Sequence, residues 1–123
     1  MKEMATKVLV IDDSMMVRQQ VTRLLEGAGF HVTPAVDGVD ALEKLTPEIA
    51  LIVSDVNMPR MSGIELLEEL RNARKATLPF VMLTTEGQDD MVKRGKSLGA
   101  NGWIVKPLKA EILLNTVKKL TST

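Results

Sequence analysis

The chain contains no cysteine, which excludes disulfides, thiol chemistry and thiolate metal sites. Its single histidine, His31, leaves no imidazole cluster for zinc or another soft metal. Aromatic residues make up only 2%, so aliphatic side chains and methionine must fill the interior. Charge of one sign is missing too. Sixteen basic residues balance 16 acidic ones, and no net field draws the chain to nucleic acid or an anionic membrane. No apolar run approaches the roughly 18 residues that span a bilayer, and the opening Met1-Lys2-Glu3-Met4 lacks the apolar stretch of a secretory signal. The expectation is a cytoplasmic protein with no direct nucleic-acid role and no membrane insertion.

What is present is the composition of an ordinary globular protein. With 123 residues, 45% hydrophobic and 26% charged, the chain suits one domain with a buried core. Apolar runs of strand length alternate with amphipathic segments throughout, the pattern of an α/β domain with a parallel sheet. Strands are predicted at Lys7 to Ile11, His31 to Ala35, Ile49 to Val53, Phe80 to Leu83 and Trp103 to Val105. Pro34 puts the second of these at an edge, because proline cannot donate to a ladder. Ile49 to Val53 is apolar on both faces and belongs in the centre.

Helices are predicted from Ser14, an N-cap residue, to Ala28, with Gly29 as a stop. Others run from Asp37-Gly38 to Thr46-Pro47, with Val39, Leu42 and Leu45 inward, and from Ile64 to about Ala73. The last two run from Gln88 to Leu98 and from Ala110 to Leu120. The Gln88 to Leu98 segment has few apolar residues, and Gly95 inside it costs roughly 1 kcal/mol against alanine.

Four strands run into residues able to do chemistry: Asp12 and Asp13, then Asp55, Thr84 and Lys106. Right-handed crossovers bring all β→α junctions to one edge of a parallel sheet, where open α/β sheets bind ligands. Three carboxylates there repel one another unless a cation compensates, and an oxygen-loving ion such as Mg²⁺ is the natural one. Asp55 on the central strand can act as a nucleophile on phosphorus. Lys106 would neutralise charge on the transferring group, Thr84 would donate to a phosphoryl oxygen, and Asp12 and Asp13 would be the metal-side acids. Acids at strand ends can also be plain helix caps; that alternative suits Asp12-Asp13 taken alone and fails for all five positions together. His31 lies on the edge strand, away from the cluster, and reads as an ordinary strand residue.

The motifs Val10-Ile11-Asp12-Asp13, Ser54-Asp55-Val56-Asn57-Met58-Pro59 with Met61 and Gly63, Leu83-Thr84 and Lys106-Pro107 resemble those of the receiver domains of two-component response regulators. The resemblance runs from about Val8 to Leu120 and is greatest to the stand-alone chemotaxis type, the CheY-like receivers. It implies one receiver domain over 1–123, a doubly wound (βα)5, flavodoxin-like fold with a five-stranded parallel sheet of order 2-1-3-4-5. It implies Asp55 as phosphoacceptor, with Asp13, Asp55 and the backbone carbonyl of Asn57 binding Mg²⁺ and Asp12 acting through water.

Thr84 and Trp103 would be the switch pair, Lys106 would pair with the phosphoryl group through a cis Lys106-Pro107 segment, and Asn57 and Glu86 would tune dephosphorylation. Met58 and Met61 are expected to fill the core and not to form a partner surface. Thr85, Val56 and Lys109 depart from the pattern, and Trp103 stands where Tyr or Phe is commoner.

The expected function is a monomeric phospho-switch in signal transduction, possible in chemotaxis among other pathways. A sensor histidine kinase would be the donor, and a downstream protein would bind the face made by the fourth helix, fifth strand and fifth helix. Such a protein is no enzyme beyond catalysing its own phosphorylation and dephosphorylation. A phosphorelay intermediate, or a receiver cut from a larger transcriptional regulator, is the close alternative. From other classes, a small-molecule phosphatase or phosphotransferase would need a substrate cap or an acid two residues after Asp55, where Asn57 stands. A flavin carrier would need a phosphate-cradling first loop, where Asp12-Asp13 would repel phosphate.

Overall fold

A computed structural model describes residues 5–74, 76–85 and 89–121. The chain alternates strand and helix: β1 (Lys7–Ile11), α1 (Met15–Gly27), β2 (His31–Ala35), α2 (Gly38–Lys44), β3 (Ile49–Asp55) and α3 (Gly63–Glu68), which continues into a π-helical turn (Glu69–Ala73). Then follow β4 (Phe80–Thr84), α4 (Asp89–Ser97), β5 (Gly102–Val105) and α5 (Ala110–Thr121). All the strand pairs are parallel, in the order β2-β1-β3-β4-β5 that the resemblance implies. From β1 the chain steps outward to β2 and returns past β1 to β3. The crevice where strand order reverses therefore lies above the carboxyl ends of β1 and β3.

Strand alternation sorts the core into two layers. Val8, Val10, Val53, Val81 and Leu83 face α1 and α5, meeting Val21, Leu25, Leu113 and Val117. Leu9, Ile11, Ile52 and Met82 face the other side, against Ala41, Ile64, Leu66, Leu67 and Leu70. Burying such a Leu or Ile side chain contributes about 1.5–3 kcal/mol, so both faces of the central strands stabilise the sheet. Met58 and Met61 pack against the second layer, as expected of core-filling loop residues.

Local chemistry sets the ends. The Ser14 side chain accepts from Val17 N–H at the start of α1, and Gly29 takes φ 96° just past its end. Pro34 lies on the edge strand β2 as predicted, and its carbonyl accepts from Lys44 Nζ at 2.8 Å. Three details differ from the sequence reading. First, α2 ends at Lys44, short of Thr46-Pro47, and Leu45 turns extended and drops onto the second layer, while Val39 joins neither layer. Ala41, Leu42 and Leu45 make the buried stripe instead.

Second, the helix after Asp55 widens into its π-turn, with Arg74 N–H bonded to the Glu69 carbonyl at 3.0 Å. The wider turn accompanies Arg71, whose guanidinium donates to the Ala76 and Gly99 carbonyls at 2.9 and 3.0 Å. Third, β3 runs on to Asp55 itself, which makes the acceptor candidate part of the ladder. The expected helix start at Gln88, and the opening Met1-Lys2-Glu3-Met4, lie outside the described residues.

Gly95 is buried within α4, and a Cβ there would stand 3.6 Å from Trp103 Nε1 and 3.8 Å from Ala100 and Ile64, ordinary contact distances. Gly95→Ala is therefore expected to stabilise the protein by about 0.5–1 kcal/mol, the usual helix-interior difference. Equilibrium urea unfolding checks this, and a lower midpoint than the wild type would contradict it.

Candidate functional site

The reactive edge is built from two adjacent strand ends. At the end of β1, Asp12 is fully buried, and its N–H extends the ladder to the Ala35 carbonyl at 3.2 Å. Its Oδ1 accepts from Ser14 N–H at 2.9 Å, a local turn that aims the carboxylate and starts α1. Arg18, one turn into α1, donates to the Asp12 carbonyl at 2.7 Å. Asp13, one residue on, is exposed. At the end of β3, Asp55 Oδ1 accepts from Val56 N–H at 2.9 Å, and Ser54 Oγ donates to the Asp55 carbonyl at 2.9 Å. Gly63 at the start of α3 lies so close that a Cβ would collide with the Asp55 carbonyl oxygen. Only glycine lets α3 approach there.

Lys106 joins the two strands. Its Nζ lies 3.2 Å from Asp12 Oδ2 and 3.3 Å from Asp55 Oδ1. Its own backbone is fixed by an N–H bond to the Thr84 carbonyl at 2.7 Å, and the Lys106-Pro107 bond is cis. Asp12, Asp13 and Asp55 offer carboxylate oxygens within 4.8 Å of one another. Burial raises the Asp55 pKa above its ordinary value, and the nearby Asp12 charge adds to this, outweighing the opposing pull of Lys106. Burial acts against the charge of Lys106, but Asp12 and Asp55 outweigh it and hold the ammonium above its ordinary pKa.

One ammonium beside three carboxylates leaves an excess of negative charge that a cation would offset. The donor set consists of oxygens, with Asp13 open to solvent, and that chemistry fits a hard divalent ion that keeps several waters. The cluster can therefore hold a metal. His31 is exposed on the edge strand and takes no part.

Thr84 ends β4 and is 2% exposed, beside Lys106. Trp103 lies on β5, paired with Met82 in the sheet register. Its half-buried indole packs against Gly95, with Lys96 Nζ 5.5 Å above the ring. Among the described residues, the indole N–H is the buried side-chain polar atom without a hydrogen-bond partner. Asn57 is exposed in the loop after β3. Glu86 lies outside the described residues. The fold thus brings together Asp12, Asp13, Asp55, Thr84 and Lys106, and sets Trp103 one strand over against α4.

The sequence reading missed Arg18 and the pair Asp37 and Arg60. Arg18 had a readable signal, since four residues from Ser14 put it on the face of α1 nearest the strand end. Arg60 had none. Its Nε and Nη2 reach Asp37 Oδ2 and Oδ1 at 2.7 and 3.1 Å, across 23 positions of sequence.

A family model described as the response regulator receiver domain matches residues 8–118. The chain is similar to the chemotaxis protein CheY of Treponema pallidum, 38% identical over 115 residues, covering 90% of this chain and 79% of that one. It is also similar to the transcriptional regulatory protein CpxR homolog of Haemophilus influenzae, 36% identical, covering 94% of this chain and 50% of that protein. Among solved structures, Vibrio cholerae chemotaxis protein CheY4 superposes with a TM-score of 0.87 at 41% identity, over 95% of this chain and 99% of that one.

The raised Asp55 pKa carries a stability consequence. The fold favours protonated Asp55, so its penalty is absent below the ordinary value of 3.8 and grows as pH rises through the raised value. In metal-free buffer near neutral pH, Asp55→Asn is expected to unfold at a higher denaturant concentration than the wild type. The gap should close below about pH 4, where both side chains are neutral. A gap that stays constant across this range, or runs the other way, would show that burial does not strain the carboxylate.

Proposed function

Because the chain belongs to the family of response regulator receiver domains, the signal switches of two-component systems, we propose that Asp55 is its phosphoacceptor and that phosphorylation switches a partner-binding face on α4, β5 and α5. The observation that carries this is the partly buried Asp55 carboxylate, 14% exposed, held at the strand-order switch point within reach of Lys106 and two further acids. The donor is a phosphohistidine on a sensor histidine kinase. An Asp55 carboxylate oxygen forms a bond to phosphorus as the P–N bond breaks, and the imidazole leaves with the bonding pair and takes up a proton. Hydrolysis reverses the charge: water attacks phosphorus, the O–P bond breaks, and phosphate leaves Asp55 as a carboxylate.

Asp13, Asp55 and the Asn57 carbonyl would hold Mg²⁺, with Asp12 acting through water, and the bound ion would neutralise charge on the transferring phosphoryl oxygens. Lys106 exchanges Asp55 Oδ1 for a phosphoryl oxygen, and Thr84 donates its hydroxyl to another. Asn57 and Glu86 tune the access of the attacking water. Because Trp103 packs on α4, movement of Thr84 toward the phosphoryl group is read out through the indole. Exposed apolar residues Met91, Val105 and Ile112 lie on α4, β5 and α5, and support that face as the surface for a downstream protein. Among the described residues no helix is long and apolar enough to cross a membrane. Relatives of the chemotaxis type support that pathway. The match to half of a transcriptional regulator supports a second reading, in which the same switch drives a joined output domain.

Incubation with Mg²⁺ and a small acyl phosphate is expected to add one phosphoryl group, seen by mass, and to change Trp103 fluorescence. Asp55→Asn should take up none, and Lys106→Ala should lower the uptake rate by roughly 10²-fold, the usual effect of losing one charge-stabilising group. Uptake by Asp55→Asn equal to that of the wild type would overturn the assignment.

A further inference from the structure

The loop from Val56 to Ser62 carries the residue after which the acceptor strand turns, and it is tied to a helix that has no part in the site. Arg60 in this loop has φ 65°, a left-handed conformation that a non-glycine residue seldom adopts. Its guanidinium grips Asp37 in a two-pronged pair at 2.7 and 3.1 Å. Asp37 is 5% exposed at the side chain, whereas Arg60 is 57% exposed. A carboxylate that buried needs its partners, and charge-assisted forked bonds are the stronger kind. Asp37 also caps α2, accepting from Asp40 N–H at 2.8 Å.

The next residue repeats the attachment. Gly38 N–H donates to the Met61 carbonyl at 3.3 Å, and a Cβ on Gly38 would run into the Met61 side chain. At the loop's end, Gly63 N–H closes on the Val56 carbonyl at 2.8 Å. Asn57, Met58 and Pro59 therefore hang between two fixed points, Asp55-Val56 on the sheet and Arg60-Met61 on α2.

We propose that Arg60, locked to Asp37, is a positioning residue for the acceptor site: it fixes the backbone of residues 57–59, and with it the Asn57 carbonyl that completes the cation site of Asp13 and Asp55. This rests on the proposed reading of Asp55 and Mg²⁺. The left-handed backbone at residue 60 turns the chain back toward α2, and the forked pair holds it there. Helix α2 is thereby the brace for the metal side of the site, although it contributes no group to it.

The test is calorimetric titration of Mg²⁺ into the unphosphorylated protein, together with phosphoryl uptake from a small acyl phosphate. Arg60→Gly removes the grip, and glycine takes the positive φ without strain. Arg60→Asn, which also tolerates it, serves as the second variant should the first fail to fold. Asp37→Asn keeps an α2 cap and loses the charge, and Arg60→Lys keeps the charge and loses the fork. Each is expected to weaken Mg²⁺ binding by roughly 10-fold, the scale of losing a group that orients a metal ligand. Uptake at saturating Mg²⁺ should return close to the wild-type rate, and lysine should not restore affinity.

If the folded variants bind Mg²⁺ as the wild type does and lose only stability, the pair is structural alone and the proposal is overturned. If the wild type itself binds no Mg²⁺ or takes up no phosphoryl group, the reading of the site fails, and the positioning role with it.

Discussion

The site depends on one ammonium placed between two carboxylates of different strands. Lys106, just past β5, comes within 3.3 Å of both Asp12 and Asp55, although β3 and β4 separate β5 from β1 in the sheet. At an effective dielectric near 20, unit charges about 4 Å apart interact by about 4 kcal/mol, so one cation can offset one neighbouring anion and not a group of three. The cluster is stable enough to form and still short of positive charge. That shortage leaves room for more positive charge, and under the proposed function a divalent ion would satisfy the acids while a phosphoryl group would give Lys106 a stronger partner than the carboxylate it now holds.

Geometry delivers Asp12, Asp55 and Lys106 to one point although no two of these three are neighbours in sequence. β1 and β3 lie side by side in the middle of the sheet, apolar on both faces, so Asp12 and Asp55 end rigid strands and not mobile loops. Gly63 lets α3 begin directly against the Asp55 carbonyl, and Arg60 fastens the intervening loop to α2. The α4 side of the sheet is built with looser chemistry. α4 has a glycine in its buried face, and the indole that packs on it holds an N–H with no protein acceptor among the described residues. A buried donor left unpaired costs about 1–3 kcal/mol, which makes this packing easier to give up than the central sheet.

What could be read from the sequence follows from where the physics is local. Val8 to Ile11, Ile49 to Val53 and Phe80 to Leu83 are continuous apolar runs, and burial on both sheet faces leaves little else for them to be. The reactive residues follow these runs directly, so knowing the strands located Asp12, Asp13, Asp55 and Thr84. Pro34 marked an edge because it lacks a donor. By contrast, Asp37 was visible only as a helix start, since its partner Arg60 is brought to it by the tertiary fold. The π-turn at Glu69–Ala73 was equally hidden, because it accompanies Arg71 reaching carbonyls at Ala76 and Gly99, the second 28 residues away. Val39 looked inward by spacing alone, but Ala41, Leu42 and Leu45 form the stripe that α2 buries.

The rim of the sheet at β2 has a consequence for crowding between molecules. In a strand, a residue's nitrogen and carbonyl point the same way, and the Pro34 carbonyl faces outward to Lys44 at 2.8 Å. Proline offers no hydrogen there and the lysine occupies the acceptor, so this stretch of the rim has neither half of the pattern that a foreign strand needs to zip on. The other rim, β5, is only four residues long. The open sheet thus gives a foreign strand little to pair with at either rim.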